Sequence, residues 1–275
     1  MKIDSHIHFW KYHPLKEAWI TDEMKVIQRD FLPQDIVSVF KANAIDGCIA
    51  VQADQSEDET HFLLQLADEN DFIKGVVGWV DLKALNLEER LQYFSQFKKL
   101  KGFRHIVEAE SDADFLLNID FCNGISKLAQ YNFTYDILVA ASQLQTAAVF
   151  AEKFPEQAFV IDHLAKPNIK QADFLVWEKH IKEIALLPNV HCKVSGLVTQ
   201  ADWNHWKKED FTFCLNAVTA AFGMERLFFG SDWPVSLLAA SYNQSASILR
   251  DYYSRFPLIQ QQAFWGENAA LFYNL

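Results

Sequence analysis

His6 and His8 stand two residues apart in the run Ile3-Asp4-Ser5-His6-Ile7-His8-Phe9-Trp10. Side chains two apart on a strand project from one face, so both imidazoles would aim their nitrogens at the same point. That arrangement suits metal ligation or acid–base work; on pattern alone, packing in a core is an equal reading. A second polar group closes the apolar run Val160-Ile161, where Asp162-His163 precedes Leu164-Ala165-Lys166-Pro167. Burying such a pair is costly without a partner or a task. Strand alternation turns one of the two inward, and metal or acid–base chemistry favours His163, with a carbonyl-capped histidine as the alternative. A third group, Asp232, follows Leu227-Phe228-Phe229 in Gly230-Ser231-Asp232-Trp233-Pro234, where the proline stops the strand. A carboxylate so placed can take a proton from water; the other reading is a turn or helix cap. Arg104 and His105 end one further run and Asp136 lies within the next. An inward Arg104 would polarise a carbonyl or grip a carboxylate, or else pair with Asp136.

These residues need a scaffold that brings strand ends together, and the chain is patterned for one. Eight short β-branched or aromatic runs, at 2–6, 47–52, 75–80, 102–106, 133–139, 158–163, 190–195 and 227–232, predict strands. Amphipathic stretches at 34–43, 58–70, 87–99, 115–130, 142–154, 174–187, 208–222 and 241–256 predict the helix after each one. Eight such repeats predict an α/β fold, a (β/α)8 TIM barrel, with 258–272 as a C-terminal closing helix and all of 1–275 as one domain. An open doubly wound sheet would more often announce a glycine-rich phosphate turn, and no G-x-G-x-x-G occurs. Barrel enzymes carry their chemistry at the C-terminal ends of strands, which is where His6, His163 and Asp232 fall. The long irregular stretch 9–32 would lie over that mouth, where lids belong.

Composition sets the remaining bounds. The chain has 275 residues, half of them apolar, and a formal net charge of −11. Its pI near 5.2 opposes binding to a phosphate backbone, so nucleic acid is not an expected partner. No stretch has the length of a membrane span and the N-terminus lacks the apolar core of a signal peptide, so the expectation is a cytoplasmic protein with no membrane partner. Cys48, Cys122, Cys192 and Cys214 are scattered, as reduced buried thiols would be.

With these motifs in hand, the sequence resembles the amidohydrolase superfamily, and more narrowly its amidohydrolase-related branch, which contains sugar-lactone hydrolases of the L-fuconolactonase and L-rhamnonolactonase type. The resemblance runs from the His6/His8 strand through Lys101-Gly102-Phe103-Arg104-His105, Asp162 to Pro167, Lys193-Val194-Ser195-Gly196-Leu197 and Phe229 to Pro234, to Trp265-Gly266-Glu267-Asn268. It implies a metal set of His6, His8, His163 and Asp232, with Asp232 as general base and Arg104 at the substrate. Binuclear members of the superfamily bridge two metals with a fourth-strand Lys or Glu and add a fifth-strand His. Arg104 and Asp136 occupy those places, which implies one divalent metal, Zn2+, or none. The family run is commonly Asp-His-Leu-Gly-Lys-Pro, and Ala165 replaces its glycine.

The resemblance further implies hydrolysis of a small-molecule sugar lactone. Asp232 would deprotonate water, while His163 and Arg104 would stabilise the oxyanion. Trp10, Tyr12, Gln52, Trp79 and Trp233 are the candidates for holding the sugar ring. Two rivals remain: a metal-dependent decarboxylase on the same scaffold, and a barrel that binds a sugar acid without turnover.

Overall fold

The computed structural model describes residues 1–275. Its strands are β1 (Ile3–Ile7), β2 (Gly47–Val51), β3 (Ile73–Gly78), β4 (Leu100–Ile106), β5 (Thr134–Leu138), β6 (Phe159–Ile161), β7 (Val190–Val194) and β8 (Leu227–Phe229). Each pairs in parallel with the next, in chain order. The two ends then meet: Ile7 bridges Trp233 in parallel, the His8 N–H donates to the Trp233 carbonyl at 2.8 Å, and the Asp232 N–H donates to that of His6 at 2.9 Å. The eight-stranded TIM barrel expected from the alternating pattern is the observed fold. Strands packed on both faces are apolar nearly throughout, as in β2, β6 and β8, buried at every residue; β1 and β5 are as buried but carry Asp4, Ser5, His6 and Asp136.

Helices α1 (Pro33–Asn43), α2 (Glu57–Glu69), α3 (Leu87–Phe94), α4 (Ile119–Leu128), α5 (Leu144–Glu152), α6 (Leu175–Ala185), α7 (Thr212–Phe222) and α8 (Tyr242–Tyr253) follow the successive strands. Two predicted helices are broken. The stretch 115–130 begins with a separate 3-10 turn at Phe115–Leu117, because Asn118 accepts hydrogen bonds from the N–H groups of Asp120 and Phe121 and so starts α4 afresh. The closing helix is two pieces, α9 (Leu258–Gln262) and α10 (Asn268–Phe272), joined by a π-type turn at Ala263–Glu267. At Gly266 the chain presses so closely on the first strand that a Cβ would lie 2.2 Å from the Met1 carbonyl oxygen.

Strand ends also differ from expectation. β6 stops at Ile161 and β8 at Phe229, so His163 and Asp232 lie on the turns beyond. Both take left-handed backbone, with φ of 52° and 58°, which a ladder cannot accommodate. Inside the barrel, Ile3, Ile49, Val51, Val77, Val160 and Phe228 pack with Ala269 and Tyr273 into an apolar floor. A second, larger core fills the layer between strands and helices. All four cysteines are free thiols. No helix is long and apolar enough to cross a membrane.

Candidate active site

Above the floor, His6, Arg104, Asp136, Asp162 and Lys193 form a charged layer, each 3% exposed or less. Charges this deep persist only when paired. Asp162 receives Arg104 Nη1 and Lys193 Nζ, each at 3.0 Å. Lys193 also bonds Asp136, whose carboxylate takes the Tyr273 hydroxyl from below at 2.9 Å. The expected alternative of an Arg104–Asp136 pair is therefore replaced by two crossed pairs. Burial alone would raise the Asp162 carboxyl, but the Lys193 charge, the His6 hydrogen bond and the Arg104 charge together hold it well below the usual carboxylate range. Asp162 and His163 both serve the site, contrary to strict alternation, because the chain turns left-handed between them. Lys193 was missed in the sequence; its signal was a lysine between Cys192 and Val194 inside a buried strand.

Hydrogen-bond accounting fixes how the histidines face the mouth. His8 Nδ1 lies 2.8 Å from the Val51 carbonyl, which only accepts, so Nδ1 carries the proton and Nε2 is a bare lone pair. At His6, Nε2 faces the Arg104 guanidinium at 3.2 Å, and Nδ1 faces both the Asp162 carboxylate at 3.3 Å and the Lys193 ammonium at 3.2 Å. Arginine only donates, so Nε2 accepts from it and the single proton of the neutral ring sits on Nδ1, toward Asp162. The two Nε2 atoms are 3.2 Å apart, and Asp232 Oδ1 lies 3.4 Å from that of His8. Arg104 meets the His6 lone pair, whereas the His8 lone pair faces a carboxylate, an arrangement that a cation among these donors would stabilise. His6, His8 and Asp232 thus fit a divalent metal by the chemistry of their donors. A second grouping, His6, Asp162 and His163, fits less well, since Asp162 is already neutralised by Arg104 and Lys193.

His163 Nδ1 is 2.8 Å from the Ser195 hydroxyl, and its Nε2 is 3.9 Å from Asp232. Burial pushes His163 down to about 4 and lowers His6 well below the ordinary histidine value, so both are neutral at pH 7. At Asp232 burial works upward, but the neighbouring His163 and His8 rings and the Lys166 charge outweigh it, and the carboxyl ends below its usual value. The backbone carrying His163 is left-handed for four consecutive residues, His163, Leu164, Ala165 and Lys166, with φ between 50° and 55°. For L-residues this costs about 1–2 kcal/mol each, and only Gly enters it freely. The turn brings both His163 and Lys166 to the same cavity. Gly196 makes room for it: a Cβ there would meet His163 Nδ1 at 2.7 Å.

That cavity, about 390 Å³, opens at the C-terminal mouth and is lined by His8, Arg104, His163 and Asp232. Lys16 and Trp19 from the long connection after β1 reach its wall, as expected of a lid. Lys166 also lies there, paired to Glu108 at 2.6 Å, together with Asp54, Gln55 and Thr199. Apart from Trp19, an aromatic of the stretch expected to form the lid, none of these was singled out in the sequence. Lys166 adjoins His163 in a quoted motif, whereas loop residues such as Asp54 carry no pattern. The expected ring-holding residues stand elsewhere. Trp10 is buried and its indole N–H donates to the Arg29 carbonyl. Trp233 packs against Phe9 and Phe31. The Trp79 indole N–H reaches His105 at 3.3 Å, and the Tyr12 backbone is tied to Asp30. Gln52 is buried behind Arg104, accepting from Nε and Nη2 at 3.3 and 3.0 Å. With Nη1 on Asp162 and His6, every arm of Arg104 is engaged by protein. A larger cavity, about 690 Å³, lies at the opposite end of the barrel beside Met1, Asp46 and Trp265, with none of this chemistry.

Fold and site together define a (β/α)8 barrel with a His/Asp metal-type donor set at its C-terminal mouth. The family model described as amidohydrolase matches residues 3–275, and the chain belongs to that family. It is 41% identical to an L-fucono-1,5-lactonase of Burkholderia multivorans, over 100% of this chain and 96% of that one. An L-fucono-1,5-lactonase of Burkholderia ambifaria is 33% identical over 88% of this chain and 83% of its own. Among solved structures, an amidohydrolase from Burkholderia multivorans with bound zinc superposes with a TM-score of 0.97 at 41% identity, covering 100% of this chain and 99% of the other.

Proposed function

We propose that this protein hydrolyses a sugar lactone to the sugar acid, and that a six-membered 1,5-lactone of the L-fucono type is the first substrate to test. The observation that carries the reading is the convergence of a buried, ionised Asp232 with His8 and His163 on one cavity, with His6 directly beneath them at 3.2 Å from His8. The two lactonase relatives, matched nearly end to end, supply the substrate class. A lactone carbonyl needs water deprotonated on one side and its oxygen stabilised on the other. Asp232 takes the proton. The Ser195 hydroxyl donates to His163 Nδ1, which leaves an Nε2–H to donate to the developing oxyanion. Arg104 contributes charge and holds Asp162 and His6 in place, its N–H groups being spent on protein. His6, His8 and Asp232 would hold Zn2+, which when bound lowers the pKa of water and polarises the carbonyl. Lys16, Trp19, Lys166 and Glu108 replace the earlier candidates as the groups that meet ring hydroxyls. Free cysteines, three of them buried, suit the reducing cytoplasm.

The test is a panel of fucono-, rhamnono- and galactono-lactones read by acid release with a pH indicator, run alongside carboxylated aromatics assayed for CO2. Acid release from a 1,5-lactone is the expected result. CO2 release with no lactone opened would transfer the reading to decarboxylation, and binding without turnover would leave a sugar-acid receptor.

A further inference from the structure

Asp4 is fully buried, takes no part in the chemistry above and has only neutral donors around it. Its position explains how His6 and His8 come to face inward at all. Ile3 belongs to the apolar floor inside the barrel. Strict alternation from Ile3 would point Ser5 and Ile7 inward and send His6 and His8 out toward the helices. The structure shows the reverse, and the change of parity falls where register with β2 shifts. From Asp4 to Ile7 the strand advances three residues while its partner advances two, from Cys48 to Ala50. This is a β-bulge, which leaves a backbone group out of the ladder. The His6 N–H donates instead to Asp4 Oδ1 at 3.2 Å. The same oxygen accepts the N–H of Ser231, next to Asp232, at 2.8 Å. Oδ2 accepts the Tyr242 hydroxyl from α8 at 2.9 Å.

We propose that Asp4 is a positioning residue: one carboxylate oxygen holds the bulge that turns His6 and His8 into the mouth and fastens it to the chain that carries Asp232. It acts through His6 and Ser231 and touches no substrate. The assignment rests on geometry and holds for whatever substrate the site takes; only the kinetic arm of its test depends on the lactonase reading.

The test compares three variants of the full chain by kcat and KM on L-fucono-1,5-lactone, melting temperature and crystal structure. Asp4→Asn keeps an acceptor oxygen for both N–H groups, and Tyr242 can turn to accept from the amide. Asp4→Glu keeps the charge but displaces the oxygens by a methylene, a shift of about 1 Å that costs about 10²-fold when it reaches reacting groups. Tyr242→Phe removes the third hydrogen bond and leaves Oδ1 untouched. The expected outcome is kcat within about threefold of wild type for Asp4→Asn and Tyr242→Phe, with a lowered melting temperature for the latter, against a fall of about 10²-fold in kcat at little-changed KM for Asp4→Glu. A purely structural role would lower melting temperatures and leave kcat alone below them. Wild-type kcat in Asp4→Glu, or an Asp4→Asn variant as impaired as Asp4→Glu, overturns the assignment. Should Asp4→Glu not fold, Asp4→Asn decides alone, since loss of kcat there is fatal to the idea. Should wild type open no lactone, the crystal structures decide: the bulge and the His6 ring must stay in Asp4→Asn and move in Asp4→Glu.

Discussion

The interior of this barrel has two storeys built on opposite principles. In the floor, Ile3, Ile49, Val51, Val77, Val160 and Phe228 pack without a polar side chain between them. In the mouth, His6, Arg104, Asp136, Asp162 and Lys193 are as deeply buried, yet each needs particular partners at hydrogen-bond distance. The floor tolerates exchange of one apolar shape for another at modest cost, whereas the mouth loses several kcal/mol when one member of a pair goes. The mouth also carries irregular backbone: the β1 bulge, the left-handed turn after β6 and the left-handed Asp232 all adjoin the site. Stability and chemistry are thus assigned to different ends of the same strands, which makes the division testable strand by strand.

β8 and its extension offer the sharpest contrast. Asp232→Asn should lower kcat about 10³-fold or more while the melting temperature stays near wild type. Phe228→Ala, on the same strand but in the floor, should cost about 3–5 kcal/mol in denaturant unfolding and leave kcat intact at temperatures where the protein is folded. Near-normal turnover in Asp232→Asn would remove the proposed base, and a large kcat effect from Phe228→Ala would erase the distinction between storeys. Stripping divalent metal should lower lactone opening at least about tenfold, with recovery on adding Zn2+. Unchanged activity in protein shown by elemental analysis to be metal-free would take zinc out of the reaction.

A smaller effect separates the mouth from ordinary exposed histidines. Since burial lowers His163 to about 4, its ring should stay neutral from near-neutral pH down through the usual histidine range and protonate only toward about 4, as followed by NMR of the imidazole. A His163 titration centred at the free-histidine value of about 6.5 would contradict this. The sign for stability follows from the same shift. The unfolded chain binds the His163 proton more readily than the folded one, so this group's contribution is present above the unfolded pKa and lost as pH falls toward about 4. The smallest expected change is Ala165→Gly. It relieves one left-handed residue, φ 55°, and should raise stability by about 1 kcal/mol in urea unfolding. A decrease would mean that the methyl group packs usefully enough to offset its backbone strain.

The floor and the mouth were also unequally legible in the sequence. Apolar runs such as Val76-Val77 and Val160-Ile161 announce strands because burial on both faces demands them. His6, His8, His163 and Asp232 stood out as polar residues where such runs end, and the structure gathers them: His8, His163 and Asp232 line one cavity and His6 lies against them. What escaped was set by backbone departures from regularity. Asp162 and His163 share the site because a left-handed turn breaks alternation, and Asp4 is separated from His6 by a bulge; no residue-type signal marks either. The aromatic candidates misled for a physical reason. Trp10 and Trp233 have large apolar bodies whose burial outweighs any role at a wet cavity wall, while the shorter-lived signals of loop residues such as Lys16 and Glu108 passed unnoticed.

The closure between β8 and β1 carries a consequence for the life of the chain. Its metal-type histidines His6 and His8 and the proposed base lie far apart in the polypeptide and meet only when Asp232 N–H finds the His6 carbonyl. Contacts of such long sequence separation form late, after most loop-closure entropy has been spent. A nascent or proteolytically shortened chain that lacks the segment around Asp232 retains the histidines but no base, and is silent. Catalytic competence therefore reports completion of the whole fold, and the first turnover a molecule performs certifies that its two ends have found each other.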